Sequence, residues 1–247
     1  MQFHYGHATG DDQALDMGIA HALVKLASQG VVPEAIRIYR PAAPTVAFGR
    51  RDTHLPGFPA AARAAAAAGF RPIVRPTGGR AVAYTSDSIV IDHVKHDADV
   101  LATHESRFKE FGTAFVKAFR HLGLDARMGA VHAEYCPGPY SVNARGIVKL
   151  VGTSQRILQN AWLFSSLVIL ADSDRLKAVL QDVYGELGLD FDPASVGAMT
   201  EETPGPSADA VEHAILEHFN LDKTHARNLS PEVLTLGQRL SDDSRIP

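Results

Sequence analysis

Residues 134–156 read EYCPGPYSVNARGIVKLVGTSQR, and this stretch carries the strongest structural signal in the 247-residue chain. It places the only cysteine, Cys136, thirteen residues before Lys149, which precedes a Gly-Thr-Ser sequence. A thiol with an ordinary pKa near ~8.5 is mostly protonated at neutral pH, and a neighbouring cation lowers that pKa and enriches the thiolate. The stretch therefore predicts a cysteine nucleophile suited to acyl transfer through a thioester. The alternative is an inert cysteine packed in the core.

Lys149 stands among apolar residues that are typical of a β-strand, so it belongs on or beside a sheet. Most lysines on strands are simply solvated, and that is the alternative interpretation. An ammonium among apolar neighbours is partly desolvated. It can then act on a thiol electrostatically, exchange a proton with it, or hydrogen-bond an acyl oxygen. The pattern predicts that the strand ends in a turn at Gly152, with Gly152, Thr153 and Ser154 lining the same pocket as Lys149.

The rest of the chain alternates helical and β-prone segments, which favours an α/β protein. Strands 35–39 and 45–48 are expected to be adjacent, and an aromatic stripe on the helix at 105–122 is assigned to packing. The other predicted segments are a helix from a cap at Asp11 or Asp12 to Gly30, an alanine-rich helix at 60–68, strands at 71–74, 81–84, 88–94, 147–151 and 162–170, and helices at 172–187, 207–219 and 230–240.

The loop RPTGGR at residues 75–80 sets Gly78 and Gly79 between Arg75 and Arg80. Missing side chains let the backbone approach a ligand, while amides and guanidinium groups meet its polar end. Such a loop can hold a phosphate or an acyl carbonyl. Two glycines are also what a tight hairpin requires, so the loop alone does not decide between these interpretations.

Composition limits the classes of function. The chain is 45% hydrophobic and 21% charged with a net charge of -4 and a pI near 6.3, so nucleic acid is not an expected partner. One cysteine excludes an internal disulfide, the start shows no secretory signal, and the longest apolar run is too short to span a bilayer. A cytoplasmic protein without membrane contact is expected. The twelve histidines show no metal-ligand pattern, so no metal is predicted.

Four segments carry a resemblance to a known family: AFGRRDTHLPGF from Ala47, IVRPTGGRAVAY from Ile73, EYCPGPYS from Glu134 and GIVKLVGTSQR from Gly146. Together, over roughly residues 10–171, they resemble the biotin/lipoate protein ligase and octanoyltransferase family. Within it, the chain is most similar to the cysteine-dependent amidotransferases, which move an octanoyl group from the glycine-cleavage H protein to lipoyl domains of 2-oxoacid dehydrogenases.

The resemblance implies an α/β (α+β) fold like that of biotin/lipoate ligases and class II aminoacyl-tRNA synthetases, a mixed sheet flanked by helices. Residues 1–171 would form the catalytic core, and residues 172–247 a helical extension packed on it. Cys136 would carry the acyl thioester and Lys149 would assist it, with no metal and no cofactor. The implied substrate-binding residues are Arg75, Thr77, Gly78, Gly79, Arg80, Ala81, Gly152, Thr153 and Ser154.

The implied donor is an octanoylated carrier, either the glycine-cleavage H protein or an acyl carrier protein, and the implied acceptor is a lysine of a lipoyl domain. A basic rim of Arg50, Arg51 and Arg80 could steer an acidic carrier to the site. Two alternatives stay open. One is a lipoate ligase that uses ATP and Mg to form lipoyl-AMP, with Cys136 only packing. The other is a non-catalytic acyl-binding protein.

Overall fold

The computed structural model describes residues 1–6, 10, 12–203 and 205–246; Asp11 of the predicted helix cap lies outside them. The strands are β1 (Gln2–Tyr5), β2 (Glu34–Tyr39), β3 (Thr45–Phe48), β4 (Arg71–Val74), β5 (Val82–Tyr84), β6 (Ser88–His96), β7 (Ala126–Met128), β8 (Val142–Ala144), β9 (Val148–Leu158) and β10 (Ala161–Ile169). The α-helices are α1 (Gln13–Ser28), α2 (Phe58–Ala67), α3 (His104–His121), α4 (Ser173–Leu187), α5 (Ala208–His218) and α6 (Pro231–Ser241).

A seven-stranded sheet with the order β1-β2-β6-β10-β9-β8-β7 forms the centre of the molecule. Its β1–β2 pair is parallel and its other pairs are antiparallel, so the sheet is mixed. A second sheet of three strands has the order β4-β3-β5. The predicted α/β class with a mixed sheet and flanking helices is confirmed.

The expectation that the strands at 35–39 and 45–48 are adjacent is wrong. β2 pairs with β1 on one edge and β6 on the other, so neither edge is free for β3. β3 instead lies between β4 and β5 in the small sheet. The prolines between the two strands end the first strand and let the chain cross to the second sheet.

The predicted turn at Gly152 is also wrong. β9 continues to Leu158, and Gly152 is paired with Leu167 within the β9–β10 ladder. The reversal falls after the strand, where Asn160 adopts a positive φ of 59°. Since the ladder to β10 supplies backbone partners along the whole stretch, the polar residues after Gly152 remain in the strand.

Helices cover both sheets. Side chains of α1 and α6 form one apolar cluster with Val94 and Leu163 of the large sheet, and the aromatic stripe of α3 packs with α5 against the opposite face. α2 and α4 pack together over the small sheet. Within the described residues, no helix is long and apolar enough to cross a membrane.

Close contact between α1 and α6 depends on Gly18. A Cβ at this position would overlap the carbonyl oxygen of Gly237 and lie 2.9 Å from the Ser241 amide nitrogen. Both obstacles are backbone atoms, so they cannot rotate away and the helices must separate.

We expect Gly18→Ala to lower the free energy of unfolding by about 1–3 kcal/mol, the usual cost of overpacking. Urea unfolding with an unchanged m-value measures this. Gly185→Ala is the matched control, because a Cβ on that glycine of α4 would meet nothing within 4 Å. It should leave stability unchanged or raise it by about 0.5–1 kcal/mol. Equal stability of the Gly18 variant and the wild type would contradict the packing described.

Candidate active site

Cys136 lies in the loop between β7 and β8, and its backbone has a positive φ of 43°. For a residue with a Cβ this conformation is strained, and it persists only where the surroundings impose it. The Tyr184 hydroxyl of α4 accepts a hydrogen bond from the Cys136 amide at 2.7 Å and donates one to the Ala81 carbonyl at 3.0 Å. Tyr184 thereby ties the cysteine loop to the diglycine loop.

The Cys136 sulfur is held by the diglycine loop. Arg75 Nη2 lies 3.4 Å from Sγ, and the Arg80 amide donates to Sγ at 3.2 Å. Gly79 makes this approach possible, because it has a φ of +101° and a Cβ there would lie 2.7 Å from the sulfur. Burial alone would raise the pKa of the Cys136 thiol, but Arg75, Lys149 and the Arg80 amide outweigh it, so the pKa is lowered.

Lys149 is buried on β9, with 2% of its surface exposed. Its Nζ donates to the carbonyl oxygens of Tyr135 at 3.0 Å and Cys136 at 2.8 Å. Burial lowers the pKa of Lys149, although Cys136 and Glu134 oppose that shift. The lysine therefore holds the backbone of the cysteine loop, while the direct partners of the sulfur come from the diglycine loop.

Glu134 is a buried anchor of the same loop. Its carboxylate accepts hydrogen bonds from the Gly138 amide at 2.9 Å and the Ser141 hydroxyl at 2.7 Å, and it lies 3.4 Å from Lys149 Nζ. Glu134 is only 2% exposed, so it is not a solvated loop carboxylate, the alternative that its position in the sequence near Cys136 leaves open. The loop folds inward because the Lys149 ammonium compensates the buried negative charge.

Cys136 and Lys149 line one cavity of about 420 Å³. Its walls combine polar groups near the sulfur with apolar surface from residues that include Val82, Phe108 and Leu167. Gly152 widens the cavity, because a Cβ there would meet only the Lys149 side chain, at 3.5 Å. A cavity of this size with a reactive sulfur at one side can hold a medium-length alkyl chain with its carbonyl beside the thiol.

The sequence-predicted substrate residues gather around this cavity, although not all in the same way. Those that line it are Arg75, Gly78, Gly79, Gly152, Thr153 and Ser154. Thr77 lies behind them and accepts a hydrogen bond from the Ser154 hydroxyl at 2.9 Å. Ala81 is buried, and its carbonyl is the Tyr184 acceptor already described.

Arg80 contacts the Cys136 sulfur through its backbone amide, and its side chain points elsewhere. Its guanidinium points to the buried Asp52, with Nη1 and Oδ1 3.1 Å apart, while Asp52 also accepts the Gly49 amide at 2.9 Å. The predicted basic rim is therefore altered: Arg50 and Arg51 are exposed, but the Arg80 charge is paired.

Sequence reasoning missed several residues of the site. Tyr184 lies in the segment assigned to a helical tail, and no motif marks it. Phe108 belongs to the aromatic stripe that was assigned to packing; its neighbours Phe111, Phe115 and Phe119 are buried as expected, but Phe108 lines the cavity and stacks on Tyr140. Since a helical stripe shows only which face is covered, it could not separate core from cavity wall.

His93 and His96, a histidine pair at a spacing that a metal site could use, do not form a joint site. His93 Nε2 contacts Glu34 at 2.8 Å, and His96 Nδ1 contacts the Ala27 carbonyl at 2.7 Å. Three positions apart on β6, the two side chains leave opposite faces of the strand. In the described part of the chain, no group of three or more His, Cys, Asp or Glu residues could hold a metal ion.

The mixed sheet with its flanking helices is a fold found in solved lipoate protein ligases. The fold is similar to lipoate-protein ligase A bound with ATP, with a TM-score of 0.71 and 20% identity over 98% of this chain and 95% of that one. It is also similar to a bipartite lipoate protein ligase from Thermoplasma acidophilum, with a TM-score of 0.70 and 20% identity over 98% and 92% of the two chains.

Residues 12–220 match the sequence profile of the lipoyl protein ligase A/B catalytic domain, and the chain belongs to that family. Octanoyltransferase LipM of Kyrpidia tusciae is 29% identical over 94% of this chain and 90% of that relative. Octanoyl-GcvH:protein N-octanoyltransferase of an Exiguobacterium species is 26% identical over 57% of this chain, which spans only 50% of that relative. The predicted family and fold are confirmed, and these relatives support the predicted class of enzyme.

Arg75 is the nearest cationic side chain to the sulfur, so its removal should raise the pKa of the Cys136 thiol. We expect Arg75→Met to shift the pH profile of Cys136 alkylation by iodoacetamide to higher pH, because the thiolate loses its main cationic partner. Arg156→Met is the control, since Arg156 donates to the Pro76 carbonyl of the same loop at 2.9 Å without contacting the sulfur. Superimposable profiles for wild type and the Arg75 variant would contradict this role.

Tyr184→Phe removes both hydrogen bonds that join the cysteine loop to Ala81 while keeping the ring. We expect the pH profile of Cys136 alkylation to shift to higher pH, because Sγ is no longer held against the Arg80 amide. We also expect the free energy of unfolding to fall by about 0.5–1.5 kcal/mol for each hydrogen bond lost. Tyr39→Phe is the control, because that buried hydroxyl has no hydrogen-bond partner among the described residues. An unshifted profile in the Tyr184 variant would reduce its role to packing.

Proposed function

We propose that this protein transfers an octanoyl or lipoyl group, through a thioester on Cys136, from a carrier protein to the lysine of a lipoyl domain. The proposal rests on the position of the Cys136 sulfur. This sulfur lies 3.4 Å from Arg75 Nη2 and 3.2 Å from the Arg80 amide, at the wall of a largely apolar cavity. The names of the octanoyltransferase relatives support the choice of acyl group.

In the first half-reaction the thiolate attacks the acyl carbonyl of the donor. The bond from Sγ to the acyl carbon forms, the bond from that carbon to the donor's nitrogen or sulfur breaks, and the leaving group takes up a proton. The negative charge leaves the sulfur as the bond forms and collects on the carbonyl oxygen. Arg75 and the Arg80 amide, released from the thiolate, are donors already in place for that oxygen.

In the second half-reaction the acceptor lysine attacks the thioester. Its nitrogen bonds to the acyl carbon, the bond to sulfur breaks, and the proton lost by the amine balances the proton taken up earlier. Lys149 suits a supporting role in both halves, because its lowered pKa eases proton exchange and its bonds to the Tyr135 and Cys136 carbonyls hold the loop.

The cavity keeps the alkyl chain in place between the two half-reactions. Val82, Phe108 and Leu167 offer the chain apolar surface while the thioester stays beside the cysteine loop. Holding the carbonyl in one orientation converts the attack of the incoming lysine into a nearly unimolecular step. Neither ATP nor a metal is needed, since the overall reaction exchanges the acyl amide or thioester of the donor for an acyl amide on the acceptor.

The donor we propose is an octanoylated carrier, the glycine-cleavage H protein or an acyl carrier protein, and the acceptor is a lipoyl domain of a 2-oxoacid dehydrogenase. GcvH appears in the names of two relatives, of which this chain spans 50% of the length. Those names support the glycine-cleavage H protein as the donor. The two donors differ chemically: one presents an amide and the other a thioester. Only the amide donor requires an amine as leaving group.

The test is intact-mass analysis after incubation with each octanoylated carrier, with and without ATP. We expect an octanoyl adduct on Cys136 without ATP, its transfer to a lipoyl domain on addition, and a loss of about 10³-fold or more in Cys136→Ser, which keeps the shape but loses the thiolate. Ser141→Ala is the control for loop disturbance, since it removes one Glu134 hydrogen bond but leaves the sulfur.

Other outcomes decide the alternatives. Acyl-adenylate formation from free lipoate and ATP, with full activity of Cys136→Ser, would establish a ligase and reject covalent catalysis. Tight binding of octanoate without an adduct from either donor would establish an acyl-binding protein instead.

A further inference from the structure

A second, inner cavity of about 40 Å³ adjoins the one that holds Cys136. The two share five wall residues, namely Arg75, Val82, Gly152, Ser154 and Leu167. The shared walls place the inner cavity where an alkyl chain that outgrows the first cavity would continue. Its volume suits one or a few water molecules.

Asp92 and Ser165, which line the inner cavity but not the first one, form a buried polar pair in a mostly apolar wall. Asp92 of β6 and Ser165 of β10 lie opposite each other in the ladder, and the serine hydroxyl donates to Asp92 Oδ1 at 2.7 Å. The other carboxylate oxygen, Oδ2, is buried and accepts no hydrogen bond from the part of the chain that the structure describes. Arg37 Nη1 is 4.0 Å from it and is engaged with Asp16. Asp92 is only 2% exposed.

We infer that Asp92 is the residue that limits acyl-chain length, because it closes the acyl site with a buried carboxylate that a water molecule can satisfy and a methylene cannot. This inference rests on the proposed function and names the substrate class as straight acyl chains that end before the inner cavity. An apolar wall limits the length of the acyl chain because a longer chain would collide with it. Asp92 limits that length because a longer chain would remove water from a buried carboxylate.

The energetics follow from what a longer chain displaces. Burying extra methylenes is favourable, but they would exclude water from Oδ2 and leave that oxygen without a hydrogen-bond donor. Burial raises the pKa of Asp92 to about 6, with Arg37 opposing the shift, so at pH 8 the group is ionised and its desolvation is most unfavourable. A chain with a terminal hydroxyl could donate to Oδ2 and escape this penalty.

Asp92→Leu tests the inference, because leucine has a similar shape but needs no hydrogen bond. The measurement is the rate of Cys136 acylation at pH 8 by coenzyme A thioesters of six to twelve carbons, followed by intact mass. We expect the decanoyl-to-octanoyl ratio to rise at least about tenfold, which corresponds to about 1.4 kcal/mol. Asp92→Asn, still polar but uncharged, should give a ratio between those of the wild type and the leucine variant. A leucine variant with the wild-type ratio would overturn the inference and leave octanoyl transfer standing.

Wild-type protein provides a second measurement should the leucine variant not fold. It should accept 10-hydroxydecanoyl at least about tenfold faster than decanoyl, since only the hydroxyl can donate to Asp92. Equal rates for these two chains would overturn the inference.

The failure of the proposed function looks different: no chain of any length is transferred to Cys136. Calorimetric affinities of free octanoic, decanoic and 10-hydroxydecanoic acids then decide the inference. A preference for the hydroxylated acid over decanoic acid, lost in Asp92→Leu, supports it, and equal affinities overturn it.

Discussion

The buried contact between Lys149 and the cysteine loop is the constraint on which the site depends. Lys149 Nζ binds two consecutive carbonyl oxygens, those of Tyr135 and Cys136, and lies 3.4 Å from the Glu134 carboxylate. A buried charge is tolerated only when it is paired and hydrogen-bonded, so lysine and glutamate require each other. The resulting clamp fixes a loop whose cysteine has a strained backbone, with a φ of 43°.

In the structure, different groups contact the sulfur and support the backbone of the cysteine loop. The lysine was predicted to act on the thiol electrostatically, to exchange a proton with it or to hydrogen-bond an acyl oxygen. Its charge does help to lower the pKa of Cys136, but its hydrogen bonds go to the loop backbone. Arg75 and the Arg80 amide contact the sulfur instead. An arginine keeps its charge under all ordinary conditions, so it can stabilise a thiolate without competing for its proton. Burial lowers the pKa of Lys149, and its ammonium is engaged with the loop backbone and Glu134.

The segment after residue 171 takes part in the site. Tyr184 of α4 binds the Cys136 amide and the Ala81 carbonyl, and Val196 forms an isolated bridge with Lys149 on β9. The family match likewise extends to residue 220. The division into a core of residues 1–171 and an extension of residues 172–247 stays a prediction, but the candidate site contains residues from both.

The sequence by itself determined the family, the α/β class, most element positions and the identity of the central residues, because a lone cysteine, a lysine in an apolar strand and a diglycine loop are local signals. Only the tertiary structure decided which strands pair, why β9 runs through Gly152, and that Glu134, Tyr184 and Asp92 matter. Tyr184 and Asp92 contact partners far away in the chain, Ala81 and Ser165, and Glu134 is buried only because its loop folds against Lys149. Local pattern carries no record of such partners, since hydrogen bonds and burial are set by how the sheets and helices pack.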